Sequence, residues 1–144
     1  YVDKLIAKEI DEGIDNLAYY SGFAELINNK KTEVLDWVKE TANAGKTIVG
    51  YGASATVTTL LNHFELEEYL KFLVDDNEIK HHTYSPGHHI PVYDSKEIYR
   101  KQVDTVIILA WNYSIPIIDK HSDFLARGGE FVIPLPNIKV IGRS

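Results

Sequence analysis

The residues whose types and spacing most clearly favour ligand chemistry form a G-x-G-x-x-A run: Gly50, Tyr51, Gly52, Ala53, Ser54 and Ala55. A β-branched run at 47–49 precedes it and predicts a buried strand, and a predicted helix follows it. Strand, glycine turn and helix together are typical of the phosphate-binding turn of a doubly wound α/β domain. The first glycine permits the tight turn. The second lets backbone N–H groups approach an anion at the helix N-terminus.

Asp75 strengthens this interpretation because it lies twenty residues beyond Ala55, at the end of a second predicted strand. In dinucleotide-binding folds a carboxylate at this place binds a ribose hydroxyl. A glycine turn can also serve only to pack a helix against a sheet, and this structural alternative stays open.

Trp111, Asn112 and Tyr113 follow the most apolar predicted strand. The carboxyl ends of parallel strands share one edge of a sheet, and ligands bind at that edge. The loops expected there are 51–54, 75–77, 111–113 and 134–136. An aromatic ring among them can stack on a base or a sugar, and Asn112 can donate or accept hydrogen bonds. Alternatively, Trp111 only covers the core beneath its loop.

Four histidines, His81, His82, His88 and His89, frame a turn that contains proline and glycine. Adjacent histidines cannot easily face one ion, and no cysteine assists them, so we assign no metal site. We interpret the segment as a solvated loop with one ligand-facing imidazole at most. The chain also lacks an ordered Ser-His-Asp set, a carboxylate pair on one helix and an H-E-x-x-H motif. We therefore assign no catalytic residue.

The predicted elements alternate between strands and helices after a helical first third, in which Gly13 and Gly22 predict breaks. Strands are predicted at 46–50, 70–75, 90–92, 104–110 and 130–133, with a short edge strand at 138–141, helices at 54–64, 95–100 and 115–126, and a polar loop at 76–89. The alternation predicts an α/β fold, a Rossmann-like parallel sheet with helices on both faces. We expect residues 1–45 to form an N-terminal helical lead-in packed on the domain at 46–144.

Composition narrows the classes of protein that the chain can represent. Hydrophobic residues make up 44% and charged residues 25% of 144 positions, which is typical of one globular domain. The net charge of −6 argues against a nucleic-acid partner. The absence of cysteine excludes disulfides and thiolate chemistry, and no apolar run is long enough to span a membrane. No signal peptide opens the chain, so we expect a cytoplasmic location. Because methionine is absent, we interpret the chain as a piece of a longer protein.

Four groups of residues occur in order along the chain: Gly50 to Ala55 with Leu60-Leu61-Asn62; Asp75-Asp76-Asn77, Lys80, Pro86-Gly87 and His89-Ile90-Pro91; Leu109-Ala110-Trp111-Asn112-Tyr113; and Gly128-Gly129, Phe131 and Ile133-Pro134-Leu135-Pro136. In the same order, the four groups resemble four motifs of the C-terminal domain of sugar C-methyltransferases. These motifs are G-Y-G-A-x-A-K-G…L-L-N, D-x-N-P-x-K-Q-G-x-x-x-P-G-T-H-I-P, L-A-W-N-F and G-G-x-F-I-x-P-x-P. These enzymes use S-adenosylmethionine to methylate a nucleotide-linked deoxysugar. The resemblance covers nearly the whole chain.

The resemblance implies a division of labour within a longer polypeptide. The methyl donor, a zinc-binding module and the catalytic residues are then expected upstream, with no cofactor in this chain. This Rossmann-like domain would close over the nucleotide sugar and be inactive alone. The resemblance and the sequence patterns described above together predict thirteen substrate-binding residues. They are Gly50, Tyr51, Gly52, Ala53, Ser54, Ala55, Asp75, Asn77, Lys80, His89, Trp111, Asn112 and Tyr113. Among them, His89 and Asn112 are the leading candidates for polar contacts.

The chain departs from the family pattern at several positions. Thr56-Val57 stands where the motif has Lys-Gly, and Ile115-Pro116 replaces acidic residues. The missing lysine removes a cation that would face a diphosphate.

Two other functions stay open beside the nucleotide-sugar-binding domain of a C-methyltransferase. The glycine turn with Asp75 also suits the nicotinamide-dinucleotide-binding domain of an oxidoreductase. A non-catalytic nucleotide-sugar-binding module would use the same turn without any reaction. An upstream methyl-donor motif and upstream cysteine zinc ligands would favour the methyltransferase.

Overall fold

A computed structural model describes residues 1–142 of the chain. Two helices account for most of residues 1–43. Helix α1 (Val2–Asp11) has no buried residue, and α2 (Leu17–Asn43) follows a turn at Gly13, where φ is +71°. The Asn16 side chain caps α2 by accepting a hydrogen bond from the Tyr19 N–H at 3.0 Å. The predicted break at Gly13 is confirmed, whereas Gly22 lies inside α2. A helix-interior glycine costs only about 1 kcal/mol, which a long cooperative helix tolerates.

The Rossmann-like α/β fold predicted from the sequence is confirmed. The remaining elements are β1 (Ile48–Tyr51), α3 (Ala55–Phe64), β2 (Leu70–Asp75), β3 (Thr83–Tyr84), β4 (Pro91–Asp94), α4 (Glu97–Arg100), β5 (Thr105–Ile108), α5 (Ser114–Lys120), α6 (Ser122–Ala126), β6 (Glu130–Ile133) and β7 (Lys139–Ile141), with short 3₁₀ turns at Glu78–Lys80 and Trp111–Tyr113. The strands form one sheet in the order β3-β4-β2-β1-β5-β6-β7. Strands β4, β2, β1, β5 and β6 are parallel, and β3 and β7 add antiparallel edges.

Two elements differ from the sequence prediction for identifiable reasons. Strand β3 lies within the predicted loop 76–89, and its two exposed residues offer no apolar alternation that reveals a strand. The predicted helix 115–126 is divided into α5 and α6 at His121, whose backbone leaves helical geometry at φ −114° and ψ 32°.

Apolar side chains fill both faces of the sheet. In the central strand β5, Ile107 packs on the α2 and α3 side, while Val106 and Ile108 pack on the side of α4, α5 and α6. The helices contribute Val34, Val38, Val57, Leu61 and Phe64 to the first face, and Ile98, Ile117 and Phe124 to the second. Burial of each such side chain contributes about 1.5–3 kcal/mol. This packing fixes the loops at the carboxyl edge of the sheet.

The strand order reverses between β1 and β5, whose chain continuations go to opposite sides of the sheet. Loops diverge at such a point and leave a crevice at the carboxyl edge. Within residues 1–142, no helix has the length and apolar character needed to cross a membrane.

Candidate functional site

A cleft of about 380 Å³ opens at the carboxyl ends of β1 and β5, and we call it the switch-point cleft. The glycine turn at 51–54 forms one wall. The other lining residues are Asp75 at the end of β2, Asp76 and Lys80 after it, and Ala110, Tyr113, Pro116, Ile117 and Lys120 after β5. The cleft therefore combines a helix N-terminus with two lysines and two carboxylates, a set of groups suited to a polar, anionic ligand.

Backbone amides of the glycine turn are partly used by the fold itself. The Gly52 N–H donates to the Val74 carbonyl at 2.7 Å, and the Ala53 N–H donates to Asp75 Oδ2 at 2.8 Å. The Ser54 side chain caps α3 by accepting a 3.3 Å hydrogen bond from the Val57 N–H. Within residues 1–142 the amides of 54–56 have no hydrogen-bond acceptor. Of these three residues at the positive end of α3, Ser54 lines the switch-point cleft, so its amide is the donor of the turn that a ligand there can use.

Gly50 and Gly52 have different roles in the structure. Gly50 lies inside β1 and does not form the turn; a Cβ there would lie 2.6 Å from Leu73 Cδ2 and 2.7 Å from Leu109 Cδ1. Gly52 forms the turn, with φ at +113°. The space beside its Cα is filled by Ala110 at the end of β5, with Cβ atoms that would be 3.0 Å apart. Gly52 thus closes the turn against β5.

The Asp75 carboxylate is occupied by its own chain. Oδ2 accepts from the Ala53 N–H at 2.8 Å and from Lys80 Nζ at 2.9 Å, and Oδ1 accepts from the Asn77 N–H at 2.9 Å. The Asp75 side chain is only 13% exposed. It connects the end of β2 to the glycine turn and holds Lys80 at the cleft.

Asp76 organises a second group of polar side chains on the other side of the cleft. The Tyr51 hydroxyl lies 2.9 Å from both of its carboxylate oxygens, and Ser95 Oγ donates to Oδ1 at 2.7 Å. Lys120 Nζ also donates to Oδ1, at 2.6 Å. Burial opposes the charged form of Asp76, but the hydrogen bonds from Lys120, Ser95 and Tyr51 outweigh it and hold the pKa of this carboxyl below its ordinary value.

His121 extends this group into the core. The side chain is 3% exposed, with Nε2 at 3.0 Å from the Tyr51 hydroxyl and Nδ1 at 2.9 Å from the Tyr99 hydroxyl. Because the Asp76 carboxylate only accepts, the Tyr51 hydroxyl donates to it and accepts from Nε2–H, so Nδ1 accepts from Tyr99. Burial and the adjacent Lys120 charge lower the pKa of His121, and burial raises the pKa of Tyr51.

A second cavity, which we call the α2–α3 groove, opens on the other side of the glycine turn. Its volume is about 680 Å³, and its lining is mostly apolar, with Leu26, Ile27, Leu60, Phe64, Trp111 and Leu135 as the main contributors. Trp111 is half-buried and packs on the core of that face. Thr56, at the position of the lysine in the family motif, also lines this groove.

The structure sorts the residues predicted from the sequence into three places. The switch-point cleft contains Tyr51, Gly52, Ala53, Ser54, Asp75, Lys80 and Tyr113. Ala55 and Trp111 line the α2–α3 groove. Gly50, Asn77, His89 and Asn112 line neither cavity. Of these four, Asn77 caps the turn Glu78–Lys80, and His89 lies in an exposed tight turn with φ at 54°.

Hydrogen bonds hold the loop that contains His81, His82, His88 and His89 against the rest of the domain. His81 Nε2–H donates to the Asp75 carbonyl at 2.7 Å, and His88 is hydrogen-bonded to Asn62. Across residues 1–142, no group of three His, Cys, Asp or Glu side chains is arranged to hold a metal ion.

Comparison with known proteins identifies the family of this chain. The C-methyltransferase C-terminal domain family matches residues 1–136. The chain belongs to this family. A curated relative, the C-methyltransferase NovU of Streptomyces niveus, is 31% identical over 141 residues, which cover 97% of this chain and 34% of that protein. The chain therefore spans about a third of the length of this relative.

A solved structure supports the fold. The UDP-D-quinovosamine 4-dehydrogenase of Vibrio fischeri matches with a TM-score of 0.50 at 20% identity, over 67% of this chain and 93% of that one. At this identity the similarity establishes the Rossmann-like architecture alone.

The cleft and network residues that are not among the binding residues predicted from the sequence are Asp76, Ser95, Tyr99, Lys120 and His121. Ile117, His121 and Phe124 are spaced i, i+4 and i+7, and all three are buried. This periodicity is a signal that predicts an inward-facing histidine. Ser95 and Tyr99 carry no comparable signal, because their roles depend on long-range hydrogen bonds, from Ser95 to Asp76 and between Tyr99 and His121.

Proposed function

We propose that this domain binds the nucleotide-linked sugar of an S-adenosylmethionine-dependent C-methyltransferase in the switch-point cleft. Membership of the C-methyltransferase C-terminal domain family supports this function. The methyl-donor site, the zinc module and the catalytic residues belong, in this proposal, to other parts of a longer polypeptide. When bound there, S-adenosylmethionine would supply the methyl group.

One observation carries the proposal: Ser54, at the N-terminus of α3, lines the cleft together with Lys80 and Lys120, and its amide has no acceptor within residues 1–142. An ammonium group has three N–H donors, and each of these lysines gives one to a carboxylate. The remaining lysine donors and the Ser54 amide belong to the lining of one cleft, and such a set of donors suits a diphosphate. Lys80 and Lys120 thus provide ammonium N–H donors for the ligand, which Thr56 cannot provide, although each lysine is paired with a carboxylate.

The cleft favours substrate binding over catalysis. Methylation of a carbon next to a carbonyl needs a base to form the enolate and a donor to stabilise the oxyanion. His89 and Asn112 do not line the cleft, and both carboxylates that do are paired with lysines. We therefore expect the 144-residue chain to hold and orient the sugar nucleotide and to transfer no methyl group by itself.

A nicotinamide dinucleotide is the second candidate ligand, since the glycine turn suits both. The structure gives Asp75 three intrachain hydrogen bonds and little exposure, which disfavours a ribose contact. Family membership also favours the sugar nucleotide.

Calorimetric titration of the chain with thymidine diphosphate and with NAD tests the proposal. We expect thymidine diphosphate to bind and Lys120→Gln to weaken its binding about tenfold, because a charge-assisted hydrogen bond is lost. Lys71→Gln is the matched control: it removes an exposed lysine at the amino end of β2, away from the cleft. Binding of NAD without binding of thymidine diphosphate would contradict the proposal and favour an oxidoreductase domain.

A further inference from the structure

Lys120 is connected to the core through a series of side-chain hydrogen bonds that begins at Asp76. It lies at the end of α5 and is 52% exposed, so its long side chain has many accessible rotamers. Its ammonium group is held at 2.6 Å by Asp76 Oδ1. An exposed ion pair alone restrains a lysine weakly.

The support for this lysine comes from what holds Asp76. Tyr51 and Ser95, each 3% exposed, donate to the carboxylate at 2.9 and 2.7 Å. Behind them, His121 holds the Tyr51 hydroxyl, and Tyr99 holds His121. A chain of hydrogen bonds therefore runs from the core, where Tyr51, Ser95 and His121 are buried, through the 45% exposed Asp76 side chain to a lysine at the cleft. Satisfied networks that are anchored in the core restrict their members to one arrangement.

We propose that Tyr51 and Asp76 are positioning residues that fix the Lys120 ammonium group for binding of a ligand phosphate. This inference rests on the proposed function, because it explains how the same cleft holds a nucleoside diphosphate. Asp76 uses one N–H of Lys120 and leaves two donors for the ligand. Tyr51 acts through Asp76 and does not itself contact the phosphate.

Asp76 can also have the opposite effect and weaken phosphate binding, and the experiment must distinguish this effect from positioning. A carboxylate beside Lys120 also neutralises its charge and repels a phosphate. If neutralisation dominates, Asp76→Asn tightens binding. If positioning dominates, Asp76→Asn weakens binding, and so does Tyr51→Phe, which changes no charge.

A double-mutant cycle in thymidine diphosphate affinity tests the proposal. Tyr51→Phe is expected to weaken binding about threefold to tenfold in the wild-type background and to have no effect in Lys120→Gln. Tyr93→Phe is the matched control, because it removes a hydroxyl on the same face of the sheet. The Tyr93 side chain makes no hydrogen bond to any residue in 1–142. Additive effects of Tyr51→Phe and Lys120→Gln, or tighter binding by Asp76→Asn, would overturn the proposal.

A second measurement separates this inference from the proposed function. Reductive methylation of the unliganded chain, followed by mass spectrometry, reports how readily the Lys120 amine reacts. We expect Tyr51→Phe to raise the labelling rate of Lys120 and to leave that of Lys71 unchanged. If the wild type does not bind thymidine diphosphate, the proposed function fails, while this rate still shows whether the network holds the lysine. An unchanged Lys120 rate would overturn the inference alone.

Discussion

Replacing Gly52 with alanine tests whether the glycine turn is closed against the end of β5. The added Cβ would lie 3.0 Å from Ala110 Cβ and 3.2 Å from both Ala110 N and Val57 Cγ2. The φ of +113° costs an L-residue roughly 1–3 kcal/mol, and overpacking adds about 1–3 kcal/mol. Because the Ala110 atoms belong to backbone and Cβ, rotation of a side chain cannot relieve the contact. We expect Gly52→Ala to lower the free energy of unfolding by about 3 kcal/mol or more.

Gly87→Ala is the matched control for this prediction. Gly87 has φ at +83°, and nothing lies within 4 Å of an added Cβ. The control therefore contains the backbone strain without the steric contact, and we expect a loss of about 1–2 kcal/mol. Urea unfolding followed by circular dichroism measures both losses, with equal slopes as the test of two-state behaviour. Equal losses in the two variants would show that the space beside Gly52 is open and would refute the reasoning.

Two further predictions concern stability. His121 has a lowered pKa, so near pH 6 the unfolded chain binds more protons than the native one, and native stability falls as the pH drops below the unfolded value of about 6.5. His121→Gln should flatten this loss between about pH 7 and pH 5 in urea titrations, and an unchanged slope would exclude His121 as its source. Ser54→Ala removes the N-cap of α3 and should cost about 0.5–1 kcal/mol in the same assay, whereas no loss would show that the 3.3 Å hydrogen bond contributes nothing.

Local patterns were sufficient to predict the central part of the fold. The β-branched and apolar runs identified β1, β2, β5 and β6, because a buried parallel strand is apolar on both faces. The edge strand β3 was missed because exposed residues of a two-residue strand carry no periodic signal. Gly22 predicts a break because the helix propensity of a single residue does not include the cooperativity of a 27-residue helix.

The candidate site was predicted in outline, while its interactions were not. The sequence placed Asp75 near the glycine turn, but its hydrogen bond to the Ala53 N–H became evident only from the structure. Pairs such as Asp76 and Lys120, 44 positions apart, are set by packing between elements and leave no local pattern. His89 resembles a motif residue, yet the tight turn directs it to solvent.

The central claim is that a nucleoside diphosphate binds at the α3 N-terminus in the switch-point cleft. Amide NMR spectra of the isotope-labelled chain, recorded during titration with thymidine diphosphate, test this claim most directly. The account predicts that the largest shift changes occur at Gly52, Ala53 and Ser54, the residues of the turn that line the cleft. Unchanged amides at these positions, or larger changes along the α2–α3 groove at Leu60 and His63, would contradict it.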